Sequence, residues 1–217
     1  YLIKNKKLNF LSEDENFGGD LNFKPFYFST NLNFDYISQK KIFHSESLIL
    51  DVLDSELLNN PNLSSIINIK VNKIDKFEYL TNLILEIQFD NGKIFMSNFD
   101  TKWNKSVSIK SDDIEFVNDK NGKKLIGEIL FDFNDVEKFF RYFQIKRNYR
   151  NVFEEIKLDF VYDFIQNKIT LNNLKIDQKS SKKLNVFLDQ YNQKNKNLFN
   201  KVTFRNFIKE FFQTYAG

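Results

Sequence analysis

The sequence predicts a mainly β fold: a curved, repeat-built antiparallel sheet forming a half-open, taco-like groove, with one short inserted helix and a helical C-terminal segment. Three observations predict it. A strand-turn-strand phrase recurs three times, as Leu32-Phe34-Tyr36 with Lys41-Ile42, Leu85-Ile87-Phe89 with Lys93-Ile94, and Leu158-Phe160-Tyr162 with Lys168-Ile169. Each copy carries large apolar residues at every second position, the period of a strand with one wet and one apolar face. The period then switches to helical twice, after Asn134 and after Ser180.

Residues 1–20 are polar and end in Gly18-Gly19, which marks them as a lead-in with room for one short strand. Alternation starts at Leu21 and Phe23, and Pro25 places a bend or sheet edge before Phe26 and Phe28. Leu53, Leu57 and Leu58 keep helical spacing ahead of Asn60-Pro61, so a short helix or loop is expected between 51 and 65. Strands resume at Ile67-Ile69-Val71. Asn91-Gly92 is the clearest hairpin turn, because both residues accept the positive φ of a type I′ turn, and Asn121-Gly122 repeats it. Asn134 with Glu137 resembles a capping box opening a helix over about 134–144, with Val136, Phe139, Phe140 and Phe143 on one face. A third hairpin covers 158–176. The groove domain is thus read as 21–179, and 180–217 as the helical segment. Its last helix carries Phe204, Phe207, Ile208, Phe211, Phe212 and Tyr215 on one side, which suits docking on the last strand better than a membrane interface.

Composition narrows the functional classes. The 217 residues include 26 Phe, 9 Tyr and one Trp, but only 6 Gly and 2 Pro, so turns fall to Asn, Asp, Lys and Ser. The net charge of +3 is spread evenly, without the basic stripe of a nucleic-acid binder. No cysteine is present, which excludes disulfides and thiolate-held metals. His44 is the only histidine and sits in a polar stretch; Asp112-Asp113 and Asp51/Asp54 read as solvated pairs. No phosphate loop, nucleophile elbow or metal-spaced cluster occurs, so neither an enzyme nor a cofactor is expected. The chain starts at Tyr1 and its only Met is Met96, as expected of a piece of something longer or a processed product.

The order of phrases from LILDVLDSELLN at 48–59 and INIKVNKI at 67–74, through LILEIQFDNGKI at 83–94, to the run from IGEILFDF at 126 to NLKID at 177, resembles the C-terminal region of AsmA-like envelope proteins, related to the TamB and YhdP groups. The closing RNFIKEFFQTYAG is similar to a C-terminus of that family. The resemblance implies a periplasmic β-groove that carries phospholipid acyl chains between membranes in Gram-negative bacteria. It also implies an inner-membrane anchor upstream of Tyr1 and envelope protein partners.

The candidate lane residues lie on the apolar side of the clearest strands: Leu32, Phe34, Leu85, Ile87, Phe89, Ile129, Phe131, Phe133, Leu158, Phe160, Tyr162 and Leu171. Arg141, Lys146, Arg147 and Arg150 form a basic cluster that could meet anionic headgroups or simply complement a helix end. Periodicity alone favours a second class, a structural or protein-interaction module whose apolar face is closed by its own core or by a partner protein; the family resemblance is what raises the groove reading beside it.

Overall fold

The computed structural model describes residues 6–12, 15–23, 26–37, 60–74, 79–119, 122–194, 198 and 200–216. Among them, twelve strands share one sheet. They are β1 (Lys6–Ser12), β2 (Glu15–Phe23), β3 (Phe26–Ile37), β4 (Ser64–Ile74), β5 (Leu80–Asp90), β6 (Lys93–Trp103), β7 (Val107–Ser111), β8 (Ile114–Asp119), β9 (Gly122–Phe133), β10 (Glu155–Asp163), β11 (Lys168–Ile176) and β12 (Lys179–Ser180). Three helices follow or interrupt them: α1 (Val136–Phe143), α2 (Lys182–Gln193) and α3 (Lys201–Ala216), with a 3-10 turn at Arg147–Tyr149.

The strands lie side by side in chain order, except that β7 and β8 share one place between β6 and β9. β7 pairs with the C-terminal end of β6 and β8 with its N-terminal part. The expectation of a purely antiparallel sheet is corrected at one joint. β3 and β4 run parallel, from Tyr27 beside Ser64 to Ile37 beside Ile74. Two antiparallel meanders therefore meet at a parallel seam. Hairpin phrases report only local pairing, so they carry no trace of it. The expected return strand at Lys41-Ile42 lies outside the described residues, as does the helix or loop expected from Asp51, up to residue 59. Within the stretch read as a lead-in, β1 and β2 form a hairpin, with Gly18 and Gly19 inside β2 facing Asn31 and Thr30 of β3.

Register carries one apolar face across the sheet. Thr30, Ile67, Ile87 and Met96 sit abreast on β3 to β6. The same row continues through Ile114, Gly127, Phe160 and Leu171. We call this face inner. The outer face is polar over β3 and β4, with Asn68 donating to Asn31, Asn72 to Asp35, and the Ser97 hydroxyl to Glu86 beyond them, but it also exposes Ile84, Phe95 and Ile126 on β5, β6 and β9.

Asparagine takes over much of the work that glycine usually does. Asn82, Asn98 and Asn173 have φ of 55°, 52° and 49° and fall where the β5/β6 and β10/β11 registers shift, so each supplies the extra residue of a β-bulge. Asn91-Gly92 makes the expected two-residue turn with φ of 50° and 73°. Asn104-Lys105 and Asp177-Gln178 form turns with two positive φ values each. Gly127 is needed for another reason: a Cβ there would lie 2.8 Å from the Asp113 carbonyl oxygen and 2.9 Å from Ile114.

α1 starts one residue later than the capping-box reading, because Asp135 rather than Asn134 accepts the Lys138 N–H. Glu137 instead pairs with Arg150 at 3.1 Å. Its C-terminus is closed by Gln144 at φ 56°, with the Ile145 N–H on the Phe140 carbonyl. α2 is capped by Ser181. α3 buries Phe207, Phe211 and Phe212 against α1, α2 and Phe153, and it is α2, not α3, that lies along β11, the strand on which α3 was expected to dock. Full burial of three Phe side chains contributes roughly 5–9 kcal/mol, comparable with the net stability of a whole domain. Docking, not a membrane interface, is the position these side chains hold.

Candidate apolar ligand face

The inner face changes character along the sheet. At the β9–β11 end the helices lie over it: Phe139, Phe140 and Phe143 of α1, Leu184 and Leu188 of α2, and the three buried Phe of α3. These join one buried cluster with the sheet residues. Seven candidate lane residues belong to that cluster: Ile87, Phe89, Phe133, Leu158, Phe160, Tyr162 and Leu171, all 8 % exposed or less. Their partners are the chain's own side chains. Ile129 and Phe131 are half-buried and pack on the same cluster.

At the β3–β5 end the packing is thinner. Val71, Ile74 and Leu83 form a separate small buried cluster, against which half-buried Phe34, Ile69 and Phe99 pack. Leu32, Ile69 and Leu85 are abreast on β3, β4 and β5, and all three keep part of their surface accessible. Phe34 and Ile67 do the same. Of the twelve lane candidates, Leu32, Phe34 and Leu85 thus share one strip of intermediate exposure, and Leu85, with Ile67 and Ile69, packs on the edge of the main cluster as Ile129 and Phe131 do. Ile67 and Ile69 belong to it too and were missed as site residues. Their alternation in INIKV identifies a strand but carries no sign of the register that aligns it with Leu32 and Leu85. Ser65 lies on the same face between Phe28 and Phe89, is 1 % exposed, and its hydroxyl has no hydrogen-bond partner.

The basic candidates divide. Arg150 is held by Glu137, donates through Nε to the Ile145 carbonyl at 3.0 Å, and lies over the Phe140 ring. It is a structural tie. Arg141 is exposed and its Nε reaches the Glu137 carbonyl at 3.4 Å. Lys146 precedes the 3-10 turn and Arg147 opens it, and both are exposed.

Titration follows burial. Burial, helped by Glu210, pushes the Tyr191 hydroxyl up to about 12. Burial also raises Tyr162, with Asp163 adding to it, and Tyr215, with Asp177 adding to it. Among the described residues no group of His, Asp or Glu is placed to hold a metal ion, and no helix is long and apolar enough to cross a membrane. No family model, curated protein or solved structure matches this chain.

Proposed function

We propose that the chain is a non-enzymatic lipid-handling module of the AsmA-like kind, in which the inner face over β3–β5 holds acyl chains and the helices seal the β9–β11 end. One observation carries this reading: five large aliphatic or aromatic side chains, Leu32, Phe34, Ile67, Ile69 and Leu85, stay partly accessible on a single face. Exposing a methylene costs about 0.8 kcal/mol, so a face of this kind gains from a hydrocarbon partner and needs no catalytic group. Contact is confined to this strip; the seven buried candidates serve as core. Lys146 and Arg147 are the remaining headgroup candidates. On this reading the protein works in phospholipid transport or outer-membrane assembly. It would act in the periplasm, held by an inner-membrane anchor upstream of Tyr1, beside envelope partners.

Lipid extraction and mass spectrometry of the purified chain test it. Co-purified phospholipid supports the proposal, and a lipid-free protein indifferent to detergent refutes it. A second reading, a protein-interaction module with a closed core, is favoured by the seven lane candidates packed inside the helix-covered cluster.

A further inference from the structure

We infer that the end of the sheet carrying Trp103 is a docking surface for an anionic bilayer, with aromatic rings entering the headgroup layer and lysines beside them meeting lipid phosphates. Register gathers this end from distant parts of the chain. β6 ends at Trp103, opposite Leu80 at the start of β5 and Val107 at the start of β7. Val107 in turn faces Phe133, the last residue of β9. On the other side Tyr36, Lys73, Thr81 and Lys102 sit abreast on β3 to β6. α1 follows directly from β9, and Phe204 of α3 meets Phe143 of α1.

The rings form a connected ledge. Between ring centres, Tyr79 lies 6.3 Å from Trp103 and 4.7 Å from Tyr142. Trp103 lies 4.9 Å from Tyr142 and 5.4 Å from Phe143, and Phe143 lies 5.8 Å from Phe204. Both ends of the ledge meet water: Tyr79 and Phe204 are 36 % and 38 % exposed, and Tyr36 on the adjoining row is 59 % exposed. Ring surface left wet gains from a partner that is itself partly apolar. Tyr and Trp join an apolar body to a polar tip, which suits the boundary between hydrocarbon and water.

Charge narrows the partner. Lys73, Lys102, Lys105 and Arg141 are exposed at this end, and among the described residues the three lysines hold no ion pair. The acidic groups nearby are engaged: Asp35 accepts from Asn72, Asp135 pairs with Lys138, and Glu137 pairs with Arg150. At the opposite end of the sheet cations face anions, Lys93 across from Asp90 and Lys168 across from Asp163. From β10 onward, exposed Glu154 and Asp177 bring acidic groups back to the Trp103 end, so the surface stops at α1. The local excess of cations selects an anionic partner. Nucleic acid would need open ring faces for its bases. Trp103 is instead stacked on Phe143 at 18° and meets Tyr142 and Phe139 edge to face. A bilayer needs only polar-tipped rings and scattered lysines, each of which adds attraction to an anionic leaflet. The inference goes beyond acyl-chain loading and does not depend on it.

Co-sedimentation of the full chain with vesicles tests it, comparing equimolar phosphatidylcholine and phosphatidylglycerol with phosphatidylcholine alone. Trp103 is the only tryptophan, so its fluorescence reports this end. The expected result is binding to the anionic vesicles, weakened by salt, with Trp103 quenched by brominated phosphatidylcholine mixed into them. Lys102→Glu combined with Lys105→Glu should weaken binding at least about tenfold, while Lys93→Glu at the opposite end leaves it unchanged. Lys73→Glu is the second variant where the double one fails to fold, and the melting temperature checks each. No binding to the anionic vesicles, binding that the Trp103-end variants leave intact, or binding without quenching overturns the inference. Lipid content is read separately: vesicle binding by a lipid-free protein keeps this inference and removes the lipid reading, and co-purified lipid without vesicle binding does the reverse.

Discussion

Asn192 acts as a surrogate strand for Leu171. Its side-chain oxygen accepts the Leu171 N–H at 3.1 Å and its amide donates to the Leu171 carbonyl at 2.8 Å, so α2 is fastened to the exposed side of β11 by two backbone hydrogen bonds. β12 covers only Lys175 and Ile176 of that edge. Leaving both groups unmet costs about 1–3 kcal/mol each at most. Asn192→Leu is therefore expected to lower stability by about 2 kcal/mol in urea denaturation, and Asn192→Asp, which keeps only the acceptor, by less.

Gly127 stands where β8 presses on β9. Gly127→Ala forces its Cβ against the Asp113 backbone oxygen, which no side-chain rotation relieves. A loss of about 1–3 kcal/mol is expected, with hydrogen exchange rising first in Ile114–Asp119. Unchanged exchange there would show that β8 yields without cost.

The bulge at Asn98 tests the substitution of Asn for Gly. Its φ of 52° is open to Gly and Asn but strained for branched residues. Asn98→Gly should leave the unfolding midpoint nearly unchanged, whereas Asn98→Val should cost about 1–2 kcal/mol. Equal behaviour of the two would remove the bulge as a constraint.

Tyr191 sets an alkaline limit. Its hydroxyl titrates at about 12 in the folded protein against about 10 in the unfolded chain. A raised folded value means that the stabilisation is complete below pH 10 and is lost as pH rises towards 12. The melting temperature should fall across that window, and Tyr191→Phe should flatten the fall. Tyr162 and Tyr215, raised in the same direction, leave a residual slope in that variant.

Charge placed along the inner face should separate lane from core. Leu85→Glu, on the partly open strip, is expected to cut phospholipid loading several-fold while the protein still folds. Phe160→Glu, at a site 6 % exposed, should abolish folding and loading together. Joint failure of both variants would make Leu85 ordinary core.

Much of the sheet was legible because hairpins are local events. Asn91-Gly92 and the phrase at Leu158-Phe160-Tyr162 each contain their own partner strand, so alternation and turn chemistry suffice. The scarcity of glycine likewise foretold turns built from Asn. The parallel seam was not legible, since Leu32 and Ile69 are brought together by a connection that leaves no periodic mark on either strand. β2 was obscured because Gly18 and Gly19 sit inside it, where they weaken the strand pattern. Period two identified the apolar side of every strand in the candidate lane. It could not separate Leu85, partly open, from Phe160, covered by helices, because the covering elements lie far away in sequence.

The seam also dictates the order in which the molecule assembles. Asn31 and Asn68 meet across 37 positions, whereas β5 and β6 close around two residues. Loop closure of that span is entropically dearer and slower than a hairpin. The hairpins on either side, β1–β2 and β2–β3 as much as β5–β6, are therefore expected to close before the seam that joins the two meanders.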